Sequence, residues 1–260
     1  MVTDLFPGLS VLMISTFVSV YTSSAQRTSE SEKGVRLEMK RTREIDRSSE
    51  IKSAIEEVSL MIQLKKNCVD EAHYIPTRQF LYICNLVIQV LDKIGPTMTV
   101  LRQDINQNVE RLQKQCDSDP LMYSNIVEIV KKEVDQGIER KGNSSSKALV
   151  WLTRSLDFTV ALLERLVKDP DRKMEQIVED SYNISLKSWH GWISSAAFRV
   201  GLKLIPDRKT FVTLLKPKDE ENDKFIADMG TLVELLLPLL QEIHSILVTQ
   251  SLFLFPEFLS

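Results

Sequence analysis

The sequence predicts an all-α domain, and three observations carry that expectation. Apolar residues recur at steps of three and four in segment after segment, the period of a helix with one buried face. Only 8 Gly and 9 Pro occur in 260 residues, and most of the prolines fall between periodic segments, as helix punctuation does. No segment alternates apolar and polar residues as a half-buried strand would, and no internal repeat is present. About eight helices in one domain are expected.

Composition narrows the function classes. With 33 basic and 36 acidic residues the net charge is -3, so there is no electrostatic case for nucleic acid. Cys68, Cys84 and Cys116 are odd in number, widely spaced and form no C-x-x-C, which argues against a disulfide framework or a zinc site and suits a reducing compartment. Neither G-x-S-x-G nor G-x-x-x-x-G-K-[ST] occurs, and the residues flanking His190 are Trp189 and Gly191, with no obvious Ser or Cys partner for a nucleophile pair. No enzyme, metal or cofactor is expected.

Taken in order, residues 1–46 form an extension ahead of a domain at 47–260. Residues 9–21 are an apolar run too short for a comfortable membrane span. With the small residues at 22–25 the run resembles a signal-peptide core, but Asp4 precedes it and the first basic residue is Arg27. A signal or anchor, a buried extra helix and a dispensable extension are all open, and the missing basic start favours the last. The charge-dense stretch 27–46 reads as a linker.

From Ser48 the pattern turns helical, with Ile51, Ile55, Val58 and Ile62 on one face. A loop is expected at 67–74, and Pro76 can open the next helix. Residues 80–94 are nearly apolar all round, which predicts a central buried helix ended by Gly95-Pro96. The helix containing residues 101–113 has two faces. Leu101, Ile105, Val109 and Leu112 make an apolar stripe, while Asp104, Asn108 and Arg111 stand in a column beside it. A carboxylate, a carboxamide and a guanidinium so aligned offer donors and acceptors to a polyhydroxylated or phosphorylated head group. A solvated face of ordinary side-chain pairs would read the same way.

Residues 121–140 are amphipathic through Ile126, Ile129, Val130, Val134 and Ile138, and 142–146 is a small polar turn. The helix at 146–167 places Trp151, Arg154, Phe158 and Leu162 near one face. After Pro170, residues 174–205 read as one long segment with Leu186, His190, Phe198 and Leu202 at multiples of four. Pro206-Asp207 is a turn, 216–222 a charged loop, and 225–252 a last helix with Pro238 as a kink.

Three separated motifs stand in order along this chain: D-x-x-x-N-x-x-R at Asp104, W-L-x-R at Trp151 with Phe158 seven residues on, and W-H-G-W ending at Trp192. Together they resemble the glycolipid transfer protein family over roughly residues 51–248. The W-L-T-R, W-H-G-W and P-D-R-K runs are most similar to those of its short plant members. The resemblance implies an all-α, two-layer sandwich of about eight helices enclosing an apolar lipid pocket, and non-enzymatic transfer of sphingolipids between membranes.

The same resemblance implies roles residue by residue. Asp104 would accept from sugar hydroxyls and the ceramide amide N–H, Asn108 would bind sugar hydroxyls, and Arg111 would stand near the sugar. Trp151 would stack under the hexose, and His190 would donate to the ceramide carbonyl. Leu101, Ile105, Val109, Phe158, Leu162, Leu186, Phe198 and Leu202 would line the chain pocket, and Trp192 would touch the membrane. The ceramide-1-phosphate branch has Arg at the position of Trp151, another Arg four residues earlier, and Lys in place of Asn108. Trp151 and Asn108 are therefore the neutral-sugar pattern, and glycosylceramide ranks ahead of a phosphorylated head group. Lys147, one turn before Trp151, faces either a phosphate or solvent, with Arg154 a second possible phosphate contact. The expected setting is cytoplasmic and peripheral at membranes, as a monomer, with the sequons at Asn143 and Asn183 mattering only if the leader is a signal. A sensor with the same pocket and negligible transfer would share every one of these features.

Overall fold

In the computed structural model, which describes residues 49–67, 73–250 and 252, the described residues run through nine α-helices. They are α1 (Glu50–Asn67), α2 (Thr77–Ile94), α3 (Thr99–Ser118), α4 (Ile126–Asp135), α5 (Ser145–Lys168), α6 (Met174–Ser185), α7 (Trp192–Leu202), α8 (Arg208–Leu215) and α9 (Asn222–Thr249). Short 3₁₀ turns at Pro96–Met98, Met122–Ser124 and Lys187–Trp189 join some of them. Among the described residues there is no strand, only a single bridge between Pro76 and Asn125. The leader and linker readings for 1–46, and Cys68, lie outside the described residues.

Local chemistry sets the boundaries. Ser49 opens α1 by accepting from the Lys52 N–H at 3.2 Å. Gly95 turns the chain out of α2 at φ 111°, a conformation that only glycine adopts without strain. Asn125 caps α4 by accepting from the Val127 N–H, accepts from the Ile75 N–H as well, and donates to the His73 carbonyl at 3.1 Å. One carboxamide thus ties the start of α4 to the entry of α2. Asp207 caps α8 through the N–H and hydroxyl of Thr210.

Packing places α5 at the centre. It lies against α3, α9, α6 and α4, while α2 packs on α3 and α1 packs on both α2 and α9. Helices α5, α3, α2, α1 and α9 therefore close a ring around one apolar core. Helix α9 is long and apolar enough to cross a membrane by composition, yet Phe225, Met229, Leu232, Leu236, Leu240 and Ile243 are buried in this core. Pro238 sits inside α9, which runs through it.

Several expectations need correction. The helix expected to be buried on all sides, α2, is amphipathic, with Tyr82, Gln89 and Asp92 exposed, and the central helix is α5. On α1 the buried face is Ile51, Ala54, Val58 and Met61, and Ile62 is exposed. The segment 174–205 is not one helix. It breaks between Ser185 and Trp192, where His190 is extended at φ -92°, ψ 128°. Leu186 and His190 therefore do not share a helical face with Phe198 and Leu202.

Candidate head-group site

The column on α3 forms as its spacing predicts. Asn108 is buried, donates from Nδ2 to the Asp104 backbone carbonyl at 3.0 Å, and accepts from Arg111 Nη1 at 3.5 Å. Each end of its amide keeps one further bonding position. Burial pushes the half-buried Asp104 carboxyl up to about 6, with Arg111 opposing. Burial also pulls Arg111 down, against the attraction of Asp104 and Glu133.

Helix α5 supplies the facing wall. Glu133 of α4 accepts from the Ser145 and Ser146 N–H groups and the Ser146 hydroxyl, each at 2.7 Å, while Ser144 accepts from the Lys147 N–H. A carboxylate seated on the first turn of a helix meets orphan N–H groups and the positive end of the dipole together. That anchor fixes the register in which Lys147, Trp151 and Arg154 are presented. Lys147 is 6% exposed, so the solvent-facing alternative is ruled out. Burial lowers its ammonium pKa, and Arg111 lowers it further. Among the described residues no carboxylate forms an ion pair with it.

One turn along, Trp151 and Arg154 are buried. The Arg154 guanidinium lies 3.8 Å from the Trp189 ring centroid and 5.1 Å from that of Trp151. Burial brings its pKa down to about 10, which leaves it charged at neutral pH. The His190 ring is 5.8 Å from Trp151, and its Nδ1 is 3.2 Å from the Tyr182 hydroxyl. Burial first, and then Arg154, hold the imidazole at about 4, so it is neutral at pH 7. Tyr182 also bonds Ser195 Oγ at 3.2 Å and stacks on Phe198 at 3.6 Å.

The fold thus gathers Asp104, Asn108, Arg111, Lys147, Trp151, Arg154 and His190 along the packed pair α3–α5 and the W-H-G-W turn. Ile105 and Val109 are buried in the core, and Phe158, Leu162, Phe198 and Leu202 pack against it. Leu186 is half-buried. Leu101 is 43% exposed and does not join this apolar group, because the buried face of α3 is Ile105, Asn108, Val109, Leu112 and Cys116. Trp192 is 79% exposed at the start of α7. Sequence reasoning missed Glu133, Trp189, Tyr182 and Ser195. Trp189 lies inside a motif already noticed, but nothing in the spacing of Glu133 or Tyr182 signals a contact across a loop. No group of His, Cys, Asp and Glu that could hold a metal is present among the described residues.

The sequence profile described as glycolipid transfer protein (GLTP) matches residues 75–217, which contain every one of these residues. The chain belongs to the glycolipid transfer protein family. Glycolipid transfer protein 3 of Arabidopsis thaliana is 52% identical over 218 residues, covering 82% of this chain and 94% of that one. A GLTP-fold structure from work on how FAPP2 selects simple glycosphingolipids is 25% identical, with a TM-score of 0.66 over 70% of this chain and 89% of its own. Human ceramide-1-phosphate transfer protein, solved with 12:0 ceramide-1-phosphate, is 18% identical with a TM-score of 0.66, covering 77% and 96%. The fold is the all-α, two-layer GLTP sandwich. As a member of this family the chain is a lipid transfer protein and not an enzyme.

Proposed function

We propose that the protein moves glycosylceramides between membranes, as a cytoplasmic monomer that touches bilayers transiently. The observation that carries this reading is one site holding a sugar reader and an amide reader together. Asp104, Asn108 and Arg111 offer acceptors and donors to hydroxyls, beside the buried indole of Trp151. A hexose has polar edges and an apolar C–H face, which suits that pairing. A ceramide amide has one donor and one acceptor. Asp104 would accept from its N–H, and neutral His190 would donate to its carbonyl.

The need for a carrier follows from magnitudes. Exposing apolar chain costs about 0.8 kcal/mol per methylene. Roughly 30 methylenes in a two-chain lipid therefore oppose escape into water by on the order of 20 kcal/mol. Accommodating the chains among Ile105, Val109, Phe158, Leu162, Phe198 and Leu202 removes most of that barrier. Docking is assigned to the surface around Trp192, where Ile184 and Val200 are also exposed and Lys187, Arg199 and Lys203 are exposed cations. An indole with a wet N–H suits the bilayer interface.

One observation favours a second reading. Lys147 is buried beside Arg111 without a carboxylate ion pair among the described residues, which suits a phosphate. Vesicle-to-vesicle transfer of labelled glucosylceramide and ceramide-1-phosphate separates the two. Wild type should move glucosylceramide faster, and Lys147→Ala should keep that order of preference. Faster ceramide-1-phosphate transfer, abolished by Lys147→Ala, reverses the ranking. Binding of either lipid with negligible transfer identifies a sensor.

A further inference from the structure

We infer that Tyr182 is a positioning residue for His190, fixing the tautomer that carries its proton on Nε2. The inference rests on the proposal that His190 donates to the lipid amide carbonyl. His190 lies in the extended turn between the 3₁₀ segment and α7, where its backbone N–H closes on the Leu186 and Lys187 carbonyls at 3.2 and 3.3 Å while its side chain is left to be aimed by its neighbours. Its ring is aimed by side-chain contacts, and the Tyr182 hydroxyl sits 3.2 Å from Nδ1.

The proton count then decides which nitrogen is the donor. A neutral imidazole has one N–H and one bare nitrogen. The phenol is a far stronger acid than a neutral imidazole N–H, and the bare ring nitrogen is a far stronger base than the phenol oxygen. Tyr182 O–H to Nδ1 is therefore the favoured direction. That leaves the Tyr182 oxygen as an acceptor for Ser195 Oγ–H, also at 3.2 Å. Ser195 to Tyr182 to His190 is a chain in which every bond points the same way, an arrangement that strengthens each member. Its outcome is an N–H on Nε2.

Tyr182 is itself held firmly. It is buried, and its ring stacks on Phe198 at 3.6 Å with planes 9° apart. Both Ser195 and Phe198 belong to α7, the helix that begins with Trp192. Tyr182 thus connects α6, the His190 turn and the docking helix through one side chain.

Tyr182→Phe keeps the ring and removes the proton. In the full-length protein with labelled histidine, nitrogen–proton correlation spectra should show His190 as the Nε2–H tautomer, assigned by loss of its signals in His190→Ala. In Tyr182→Phe the signals should move toward a mixture of tautomers. Affinity for glucosylceramide in phosphatidylcholine vesicles should fall about tenfold, the size of one hydrogen bond. The same change in a His190→Ala background should have no further effect on affinity. Ser195→Ala, which leaves the stack untouched, should shift the tautomers in the same direction by less, and it substitutes for Tyr182→Phe if that variant does not fold. An unchanged tautomer in whichever variant folds overturns the inference. If His190→Ala itself leaves glucosylceramide binding intact, the amide-donor reading fails instead, whatever the tautomer.

Discussion

Asp104 shows how a residue proposed to bind the head group is held at a cost to stability. Burial raises its carboxyl from 3.8 to about 6, so the folded protein holds the proton more tightly than the unfolded chain. The stability from that preference is complete below about pH 4 and is lost as pH rises through 6, a change on the order of 3 kcal/mol. Asp104→Asn should therefore raise the melting temperature at pH 8 and change it little at pH 4. His190, depressed to about 4, acts in the opposite sense below neutrality, but it is common to both proteins and cancels in the difference. The same substitution should weaken glucosylceramide binding roughly ten- to a hundredfold, the worth of a charge-assisted bond. A variant no more stable at pH 8 would mean that the carboxylate is better solvated than its surroundings imply. Asp104, Asn108 and Arg111 were legible in the sequence because steps of four and three fix their direction on one helix. The burial of Lys147 was not, because helical spacing says nothing about which neighbour covers a face, and a lysine is seldom covered. The exposure of Leu101 was not legible for the same reason. This leucine lies at the edge of a stripe whose true centre, Val109 and Leu112, faces α5 and the core.

At the level of the element, α5 is fastened at both ends by residues from outside it. Glu133 sits on its first turn, and Arg208 donates to the Asp169 and Leu166 carbonyls just beyond and within its last turn, at 2.9 and 2.6 Å. An anion at the N-terminus and a cation at the C-terminus both oppose the helix dipole. The helix that carries Lys147, Trp151 and Arg154 is thereby fixed in register against α3. Glu133→Ala strips the cap from two backbone N–H groups and should lower stability by roughly 2–4 kcal/mol in urea unfolding. Glu133→Gln, which keeps an acceptor without the charge, should lose less. Equal losses in the two variants would assign the effect to charge alone. Periodicity located the longer helices, because an apolar face repeats over several turns, but the two-turn α8, whose buried face is only Phe211 and Leu215, was not assigned. It failed at 186–191 because apolar residues happen to continue in helical step across the break. The break itself lies in two adjacent backbones, His190 extended and Gly191 at ψ 178°, which no side-chain pattern records.

For the molecule as a whole, the question is which part of the chain folds by itself. The family profile covers residues 75–217, but the ring of helices is not closed within that range. Helix α1 packs on α2 and α9, with Glu50 paired to Lys93 at 2.7 Å and Lys52 paired to Glu220. Helix α9 lies along α5 and buries nine residues there and in the core. Burying nine such side chains contributes roughly 15–25 kcal/mol before entropy, which exceeds the 5–15 kcal/mol net stability typical of a domain. A fragment of residues 75–217 therefore lacks the material to stay folded, although it contains the whole candidate head-group cluster. The helical periodicity of the sequence begins near Ser48, and the first described helix opens with the cap at Ser49. A protein of residues 47–260 should thus melt cooperatively and transfer glucosylceramide at nearly the full-length rate, while residues 75–217 should show no cooperative melt. Circular dichroism melts and vesicle transfer on the three proteins check this. If residues 47–260 prove insoluble or lipid-free while the full chain is active, the first 46 residues supply part of the core and the boundary lies further upstream. If residues 75–217 melt cooperatively, the ring formed by α1 and α9 is dispensable and the apolar burial in α9 serves another end.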